Sequence, residues 1–456
     1  MYDLTIIGAG TGGYAAAIRA VGLGAKVCLI EKDLLGGTCL NRGCIPTKSI
    51  IQSIKVLQSV LSAKEFGVNI SGFSLDIDHI FKRKDDLVLK LRQSMESQLK
   101  SKGIDIVKGS AQILDENTIK VSENQLSSKY IIIAAGSHPL EVDGLKPDHK
   151  YLLSSDDILE YHKIPKKLII VGGGYIGCEF ASIYSNLGCE VTIVEIQNQL
   201  LPSADRELAK RLESIFRKAG VDIIKGSKVV SVDSKGGVRI NLEGERIIEA
   251  DIALLSIGRK PNIDGLNLGN VGIQTDGGGI VVNNRLRTNI ENIYAIGDVT
   301  GRHFLAHVAA YEGMIASDNI FGKQRFADYS AVPSCIFTSP EIASAGLTEE
   351  KAKELDLELS ITKIPFAALS KSHITDKKEG IIKLISDKKS DMILGVQIIG
   401  DSASELLAGF VIAMQNKLTL ASLCETIFAH PTLSEGIWET AYRASENKSE
   451  TLNTRS

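Results

Sequence analysis

Leu4-Thr5-Ile6-Ile7-Gly8-Ala9-Gly10-Thr11-Gly12-Gly13 is an apolar strand running into Gly8-x-Gly10-x-x-Gly13, and the Ala-rich stretch from Tyr14 to Leu23 continues it as a helix. A second strand, Lys26 to Ile30, ends on Glu31. Glycines at these places allow a tight turn and a close backbone approach to a pyrophosphate seated on the helix N-terminus, while the acid accepts hydrogen bonds from ribose hydroxyls. A lone Gly-x-Gly-x-x-Gly says little, but here the whole unit recurs. Lys167 to Val171 is a strand, Gly172-x-Gly174-x-x-Gly177 a turn, Cys178 to Leu187 a helix, Glu190 to Val194 a strand, and Glu195 the terminal acid. The acid follows the first glycine by 23 positions in both copies, Gly8 to Glu31 and Gly172 to Glu195. The chain therefore reads as an α/β protein with two Rossmann-like units, each built for an adenine dinucleotide.

Directly behind the first unit stands Gly36-Gly37-Thr38-Cys39-Leu40-Asn41-Arg42-Gly43-Cys44-Ile45-Pro46-Thr47-Lys48, with two cysteines five positions apart. In a regular helix their Cα atoms would lie about 8–9 Å apart, beyond the roughly 7 Å reach of a disulfide. A bridge thus requires an irregular backbone, which Asn41 and Gly43 permit. On spacing alone the pair reads equally as a redox disulfide and as two free thiols near a helix start. Two dinucleotide sites flanking it favour electron transfer among three centres.

Composition limits the alternatives. The length of 456 residues fits roughly three domains. A net charge of −3 gives no electrostatic case for nucleic acid, and no run is apolar and long enough for a membrane helix. Seven scattered cysteines do not make a secreted disulfide framework, and Cys28, Cys178, Cys189, Cys335 and Cys424 read as ordinary thiols. With no targeting segment ahead of the first strand, a cytoplasmic location is expected, although a processed organellar form would look the same. Leu87, Leu91, Met95 and Leu99 fall at helical spacing and read as core packing. No metal site is expected.

The two fingerprints, the cysteine block, Ile131-Ile132-Ile133-Ala134-Ala135-Gly136-Ser137, Gly258-Arg259-Lys260-Pro261-Asn262, Ile293-Tyr294-Ala295-Ile296-Gly297-Asp298 and His430-Pro431-Thr432-Leu433-Ser434-Glu435 stand in one order along nearly the whole chain. In that order the chain resembles the pyridine nucleotide–disulfide oxidoreductases, and most closely those that oxidise protein-bound dihydrolipoyl groups. The resemblance implies an FAD-binding domain (1–145), an NAD-binding domain (146–265), a segment returning to the FAD domain (266–328), a C-terminal α+β dimerisation domain (329–446) and a polar tail (447–456) expected to be disordered. It also implies a homodimer and a lipoyl-bearing acyltransferase or carrier protein as partner.

A disulfide takes up an electron pair by thiolate exchange and nicotinamide moves a hydride, so a flavin is needed between them. The cysteine block is continuous with the first fingerprint, which assigns FAD there and NAD to the second. By resemblance Gly8, Gly10, Gly13, Glu31, Lys32, Gly37, Thr38, Lys48, Ala111, Gly136, Ser137, Asp298 and Ala306 serve the flavin. Gly172, Gly174, Gly177, Glu179, Glu195, Val229 and Gly258 serve the nicotinamide nucleotide. Asp298 also reads as an ordinary turn acid. Glu195 accepts from a free 2′-hydroxyl and repels a 2′-phosphate; with no basic residue in the following Ile196-Gln197-Asn198-Gln199, NAD is expected over NADP.

Thiol substrates need a base, because the thiolate is the nucleophile. His430 is the candidate, polarised by Glu435. Thr432-x-x-Glu435 equally matches a helix capping box, in which Glu435 only caps its helix. The resemblance favours the dyad, with Cys39 attacked across a dimer interface and Cys44 leaving as thiolate. Arg42 between the cysteines and Phe428 before His430 depart from the common pattern. Glutathione- and mercuric-reductase-like enzymes and a non-catalytic flavoprotein are the rival readings; Glu195 and the lack of cysteine after Cys424 argue against the first two, and the cysteine pair with His430 against the third.

Overall fold

A computed structural model describes residues 1–355 and 357–453, the side chains of 447–453 excepted. The chain forms two compact units, each made of two segments: residues 1–164 with 257–327, and residues 165–256 with those from 328 onward.

The first unit is built on a parallel sheet in the order Asp105–Lys108, Val27–Glu31, Tyr2–Ile7, Asn124–Ile133 and Ile293–Ala295. Its central strands carry apolar residues on both faces, as buried parallel strands must, and Leu4, Ile6, Leu29 and Ile131 are fully enclosed. Strand Asn124–Ile133 continues into an antiparallel meander with Thr118–Val121 and Ala111–Ile113. The last parallel strand comes from a segment beyond the second nucleotide unit, so the first unit is discontinuous. Helices Thr11–Gly22 and Ala306–Ile320 cross where a Cβ on Gly313 would stand 2.5 Å from the Gly12 carbonyl oxygen. Only glycine lets the two backbones approach so closely.

The first unit's segments meet the second unit at 164 and 257, and side-chain ties hold both margins. Lys84, buried in helix Ile77–Ser101, donates to the Leu159 carbonyl at 2.8 Å, and His162 stacks on Phe81 with centroids 4.6 Å apart. At the other boundary Asn262 donates to the Ala135 carbonyl, and Arg259–Pro261 pairs with Ser137–Pro139.

In the second unit a parallel sheet runs Asp222–Lys225, Glu190–Glu195, Lys167–Val171, Ile252–Leu255. A five-stranded antiparallel sheet in the order Ser334–Ile336, Glu341–Gly346, Ile393–Gly400, Ile381–Asp387, Leu359–Pro365 follows, with helices Ala403–Gln415 and Glu435–Asn453 against it. The latter helix carries the chain past residue 446, so the tail expected to be disordered is helical to Asn453; residues 454–456 lie outside the described residues.

One buried ion cluster ties a helix of the nucleotide-binding part to the antiparallel sheet. Lys383 is 1% exposed, and its Nζ lies 2.9 Å from Asp205 Oδ2, 2.5 Å from Glu349 Oε2 and 3.6 Å from Glu207 Oε2. Asp205 is the N-cap of helix Arg206–Lys218, so the cluster fastens that helix to the antiparallel sheet. Hydrogen bonds from Lys353 and Lys383 hold the Glu349 carboxyl down from 4.5 to about 2.

Lys383→Met should lower the unfolding free energy of this unit by about 3–5 kcal/mol, the cost of stranding buried carboxylates, as read by urea titration. Because the folded pKa of Glu349 is depressed, its contribution is fully present above about 4.5 and is lost as pH falls toward about 2. Melting temperatures across that window should fall for the wild type and fall less for Lys383→Met.

Candidate active site

Both fingerprints fold in the same way, down to the hydrogen bond. Glu31 Oε2 accepts from the Ala9 amide at 2.8 Å and Oε1 from the Asp33 amide at 2.8 Å. Glu195 Oε2 accepts from the Gly173 amide at 2.6 Å and Oε1 from the Gln197 amide at 2.7 Å. Each acid is thereby locked across its glycine turn, leaving its remaining lone pairs in a fixed direction. Gly8 and Gly172 take φ of +105° and +104°, a region other residues enter at a cost. Gly13 and Gly177 bring their helices onto the turns, where a Cβ would strike the Gly8 or Gly172 carbonyl oxygen at 1.9 or 2.0 Å.

Dinucleotides fit these turns. A Cβ on Gly174 or Gly136 would meet nothing within 4 Å, and one on Gly10 only the Gly37 Cα at 3.9 Å. The open space that glycine leaves over each turn is a cradle that a side chain would fill. Gly174 is moreover the N-cap of helix Tyr175–Asn186 and Gly10 that of Thr11–Gly22, so first-turn amides that the helix itself does not pair face each cradle. On the first site Ser137 donates to Asp298 Oδ2 at 2.6 Å, and burial pushes the Asp298 carboxyl above its usual range. Asp298 lies in the first turn of a short 3-10 helix, Gly297–Thr300, as the turn reading expected. Ala111 begins its strand in the core, and Ala306 is the first residue of its helix. Lys32 stands exposed beyond its strand.

Arg259 is the residue that the sequence reading passed over in this unit. Its Nε donates to Ser137 Oγ at 2.7 Å, and its Nη2 to the Ser137 carbonyl at 2.8 Å and to Thr38 Oγ1 at 3.5 Å. It links Asp298's hydrogen-bond donor to the cysteine block. Its place inside Gly258-Arg259-Lys260-Pro261-Asn262 was the available signal. Gly258, expected on the nucleotide of the second site, belongs to the first unit, where its carbonyl accepts from Leu140.

The cysteines lie on two helices rather than in a loop. Cys39 is within helix Gly37–Arg42 and Cys44 opens helix Cys44–Ser62, with Gly43 at φ −147° and ψ −112° breaking the path between them. The irregularity is confined to Gly43, whose Cβ would stand 3.0 Å from the Thr38 carbonyl oxygen; Asn41 is helical and donates to the Leu35 and Gly37 carbonyls. Cys39 Sγ is hydrogen-bonded with Cys44, as in the reduced form of the pair. That bond, burial and the charge of Cys44 push the Cys39 thiol far up, with Lys48 opposing. Cys44 sits at the start of a 19-residue helix, where the helix dipole favours an anion. Arg42, 2.6 Å from Asp33, has its charge engaged there, so Lys48 is the cation that acts on the pair.

In the second unit Glu179 is buried and accepts from the Phe337 amide at 3.0 Å, and Val229 begins its strand. Lys225, on the strand beside Glu195, supplies the basic neighbour that the local sequence lacks. Strand pairing alone reveals it.

His430 and Glu435 resolve the choice between dyad and cap by doing both. Glu435 Oε1 is 2.8 Å from His430 Nδ1, while Oε2 accepts from the Thr432 amide at 2.8 Å. The backbone bond first, and the imidazole second, hold the Glu435 carboxyl below its usual range. Only half the capping box forms, since Thr432 Oγ1 donates to the Ala429 carbonyl. The His430 side chain is 68% exposed, with Nε2 left to the outside, and Phe428 packs against the core of the antiparallel sheet.

Comparison with known proteins agrees with this geometry. Residues 2–313 match the pyridine nucleotide-disulphide oxidoreductase family and residues 332–441 its dimerisation domain. The chain is 40% identical to the dihydrolipoyl dehydrogenase of Chlamydia pneumoniae, across 96% of this chain and 95% of that one. It is also 40% identical to a dihydrolipoyl dehydrogenase of Bacillus subtilis, across 97% and 98%. Among solved structures, LpdA of Mycobacterium tuberculosis superposes with a TM-score of 0.92 at 29% identity, covering 96% of this chain and 99% of that one. The HOCl-induced flavoprotein disulfide reductase RclA of Escherichia coli gives 0.87 at 29% identity, covering 97% and 99%. Among the described residues no helix is long and apolar enough to cross a membrane. Two locked nucleotide turns, a cysteine pair split by one glycine and a matching dimerisation domain lead to one assignment: the chain belongs to the pyridine nucleotide-disulphide oxidoreductase family.

Proposed function

We propose that the chain is an FAD-dependent oxidoreductase that converts protein-bound dihydrolipoyl groups to lipoyl groups with NAD as acceptor. It works as a homodimer in the cytoplasm, served by a lipoyl-bearing acyltransferase or carrier protein. The observation that carries the reading is the His430–Glu435 pair, an exposed imidazole whose carboxylate partner is itself pinned by a backbone amide. A base of this kind suits a thiol substrate, and the similarity to dihydrolipoyl dehydrogenases over nearly the whole chain supports the substrate class.

His430 takes the proton from one substrate thiol through Nε2, with Nδ1–H held by Glu435. The thiolate attacks Cys39 Sγ, the Cys39–Cys44 bond breaks, and Cys44 leaves as thiolate. Cys44 is the better leaving group because its helix start favours the anion, whereas the side-chain bond to Cys44 and burial disfavour the anion at Cys39. The second substrate thiol then displaces Cys39, closing the lipoyl ring and leaving the enzyme as a dithiol. An FAD held at the first site would supply the exchange between the dithiol's electron pair and a hydride for NAD. Ser137, Asp298, Gly136 and the turn at Gly8–Gly13 hold the flavin, Arg259 keeps Ser137 in place, and Glu195 reads the ribose of NAD.

Steady-state turnover with dihydrolipoamide and with glutathione, each paired with NAD and NADP, should favour dihydrolipoamide with NAD. Preference for glutathione would establish the rival reductase reading. His430→Gln should cut turnover by roughly 10²–10⁴-fold while flavin reduction by NADH survives. Glu435→Gln keeps an acceptor for Thr432 and removes the charge, so a substantial loss of turnover with an unchanged melting temperature would mark the dyad. Cys39→Ser should show a long-wavelength thiolate-to-flavin absorption band in the unreduced protein, and Cys44→Ser none; equal bands would reverse the roles of the two thiols.

A further inference from the structure

An ion pair that the proposed reaction does not use stands beside the nucleotide-reading acid. Strand Asp222–Lys225 runs parallel to Glu190–Glu195, with Lys225 the register partner of Glu195. Neighbouring strands lie about 4.8 Å apart, and register partners project to the same face. A lysine therefore ends its strand next to the acid that reads the ribose. A cation in that position attracts a 2′-phosphate and opposes the discrimination that Glu195 provides.

Lys225 is held elsewhere. Its Nζ lies 2.6 Å from Glu213 Oε2, and the two side chains are only 27% and 11% exposed, so solvent screens the pair weakly. Glu213 sits on the buried face of helix Arg206–Lys218 beside Leu212 and Phe216. Its other oxygen, Oε1, accepts from the Leu200 amide at 3.1 Å. Leu200 covers the glycine turn, where a Cβ on Gly173 would stand 2.5 Å from its Cδ2, and Gly173 donates to Glu195. A single carboxylate thus fixes both the loop that follows Glu195 and the cation beside it.

We infer that Glu213 is a positioning residue that sets nucleotide specificity: by binding Lys225 it withholds that ammonium from the ribose 2′ position, so NAD is taken over NADP. The inference rests on the reading that seats the adenosine ribose at Glu195. Glu213→Gln keeps an oxygen for the Leu200 amide and releases Lys225, which then meets a 2′-phosphate with a charge-assisted hydrogen bond.

Calorimetric titration of the FAD-loaded protein with adenosine 5′-monophosphate and with adenosine 2′,5′-bisphosphate isolates the 2′-phosphate, since the two ligands differ only there. In Glu213→Gln the bisphosphate should bind about tenfold more tightly relative to the monophosphate than in wild type. The double variant Glu213→Gln/Lys225→Met should return to the wild-type ratio. An unchanged ratio in Glu213→Gln, or a double variant that keeps the relaxed ratio, overturns the inference. Lys225→Met alone should leave the ratio as it is; a tenfold weakening of the bisphosphate there would mean that Lys225 already reads the 2′ position, and would also overturn it. Failure of the wild type to bind the monophosphate would instead remove the ribose site at Glu195, and the inference with it.

Discussion

The close approach of Gly37 to Gly10 governs where the redox chemistry can occur. A Cβ on Gly37 would stand 2.8 Å from Gly10 Cα, and Gly36 donates to the Ala9 carbonyl at 2.8 Å. The helix that carries Cys39 is therefore seated by its backbone directly on the first glycine turn. Backbone-to-backbone contact leaves less play than a contact through flexible side chains, so the thiols inherit the rigidity of the parallel sheet. Asn41 anchors the other end of the same short helix, and Arg259 holds Thr38 in its first turn.

A common device appears wherever this protein needs a carboxylate at a fixed angle. Glu31, Glu195 and Glu435 each give at least one oxygen to a backbone amide before any ligand or substrate is present. An acid pinned in this way has lost its rotamer freedom in folding, so it does not lose it again on binding or in the transition state. The same bonds make the acids structural, and at Glu435 one carboxylate serves both the Thr432 amide and the His430 imidazole. Charge is handled in the same spirit at Lys383 and at the Glu213–Lys225 pair, where cations away from the redox centre are neutralised by near neighbours.

Much of this was legible in the chain. The two fingerprints announce themselves because a nucleotide turn is local: strand, glycines, helix and acid fall within a short span, and each residue type follows from sterics or hydrogen bonding nearby. The need for a break between Cys39 and Cys44 was legible too, because helix geometry forbids the bridge otherwise. Its form was not. That both cysteines remain helical, with one glycine absorbing the change of direction, depends on Gly43 meeting Thr38 and on Gly37 meeting Gly10. The helical backbone of the tail to Asn453 was missed because its composition is polar, whereas the helix is initiated by the packed turns that precede it.

By itself the sequence determined the two dinucleotide units and named the candidates for the redox pair, the thiol base and the acid that would favour NAD. Only the tertiary structure decided what stands next to what across long separations. It put Arg259 against Ser137 and Thr38, Lys225 beside Glu195, and Lys383 among three carboxylates from two other segments. The physical reason is that periodicity and motif spacing register neighbours along the chain, whereas strand pairing and burial choose neighbours in space. A charge can be recognised as paired or free only after that choice has been made.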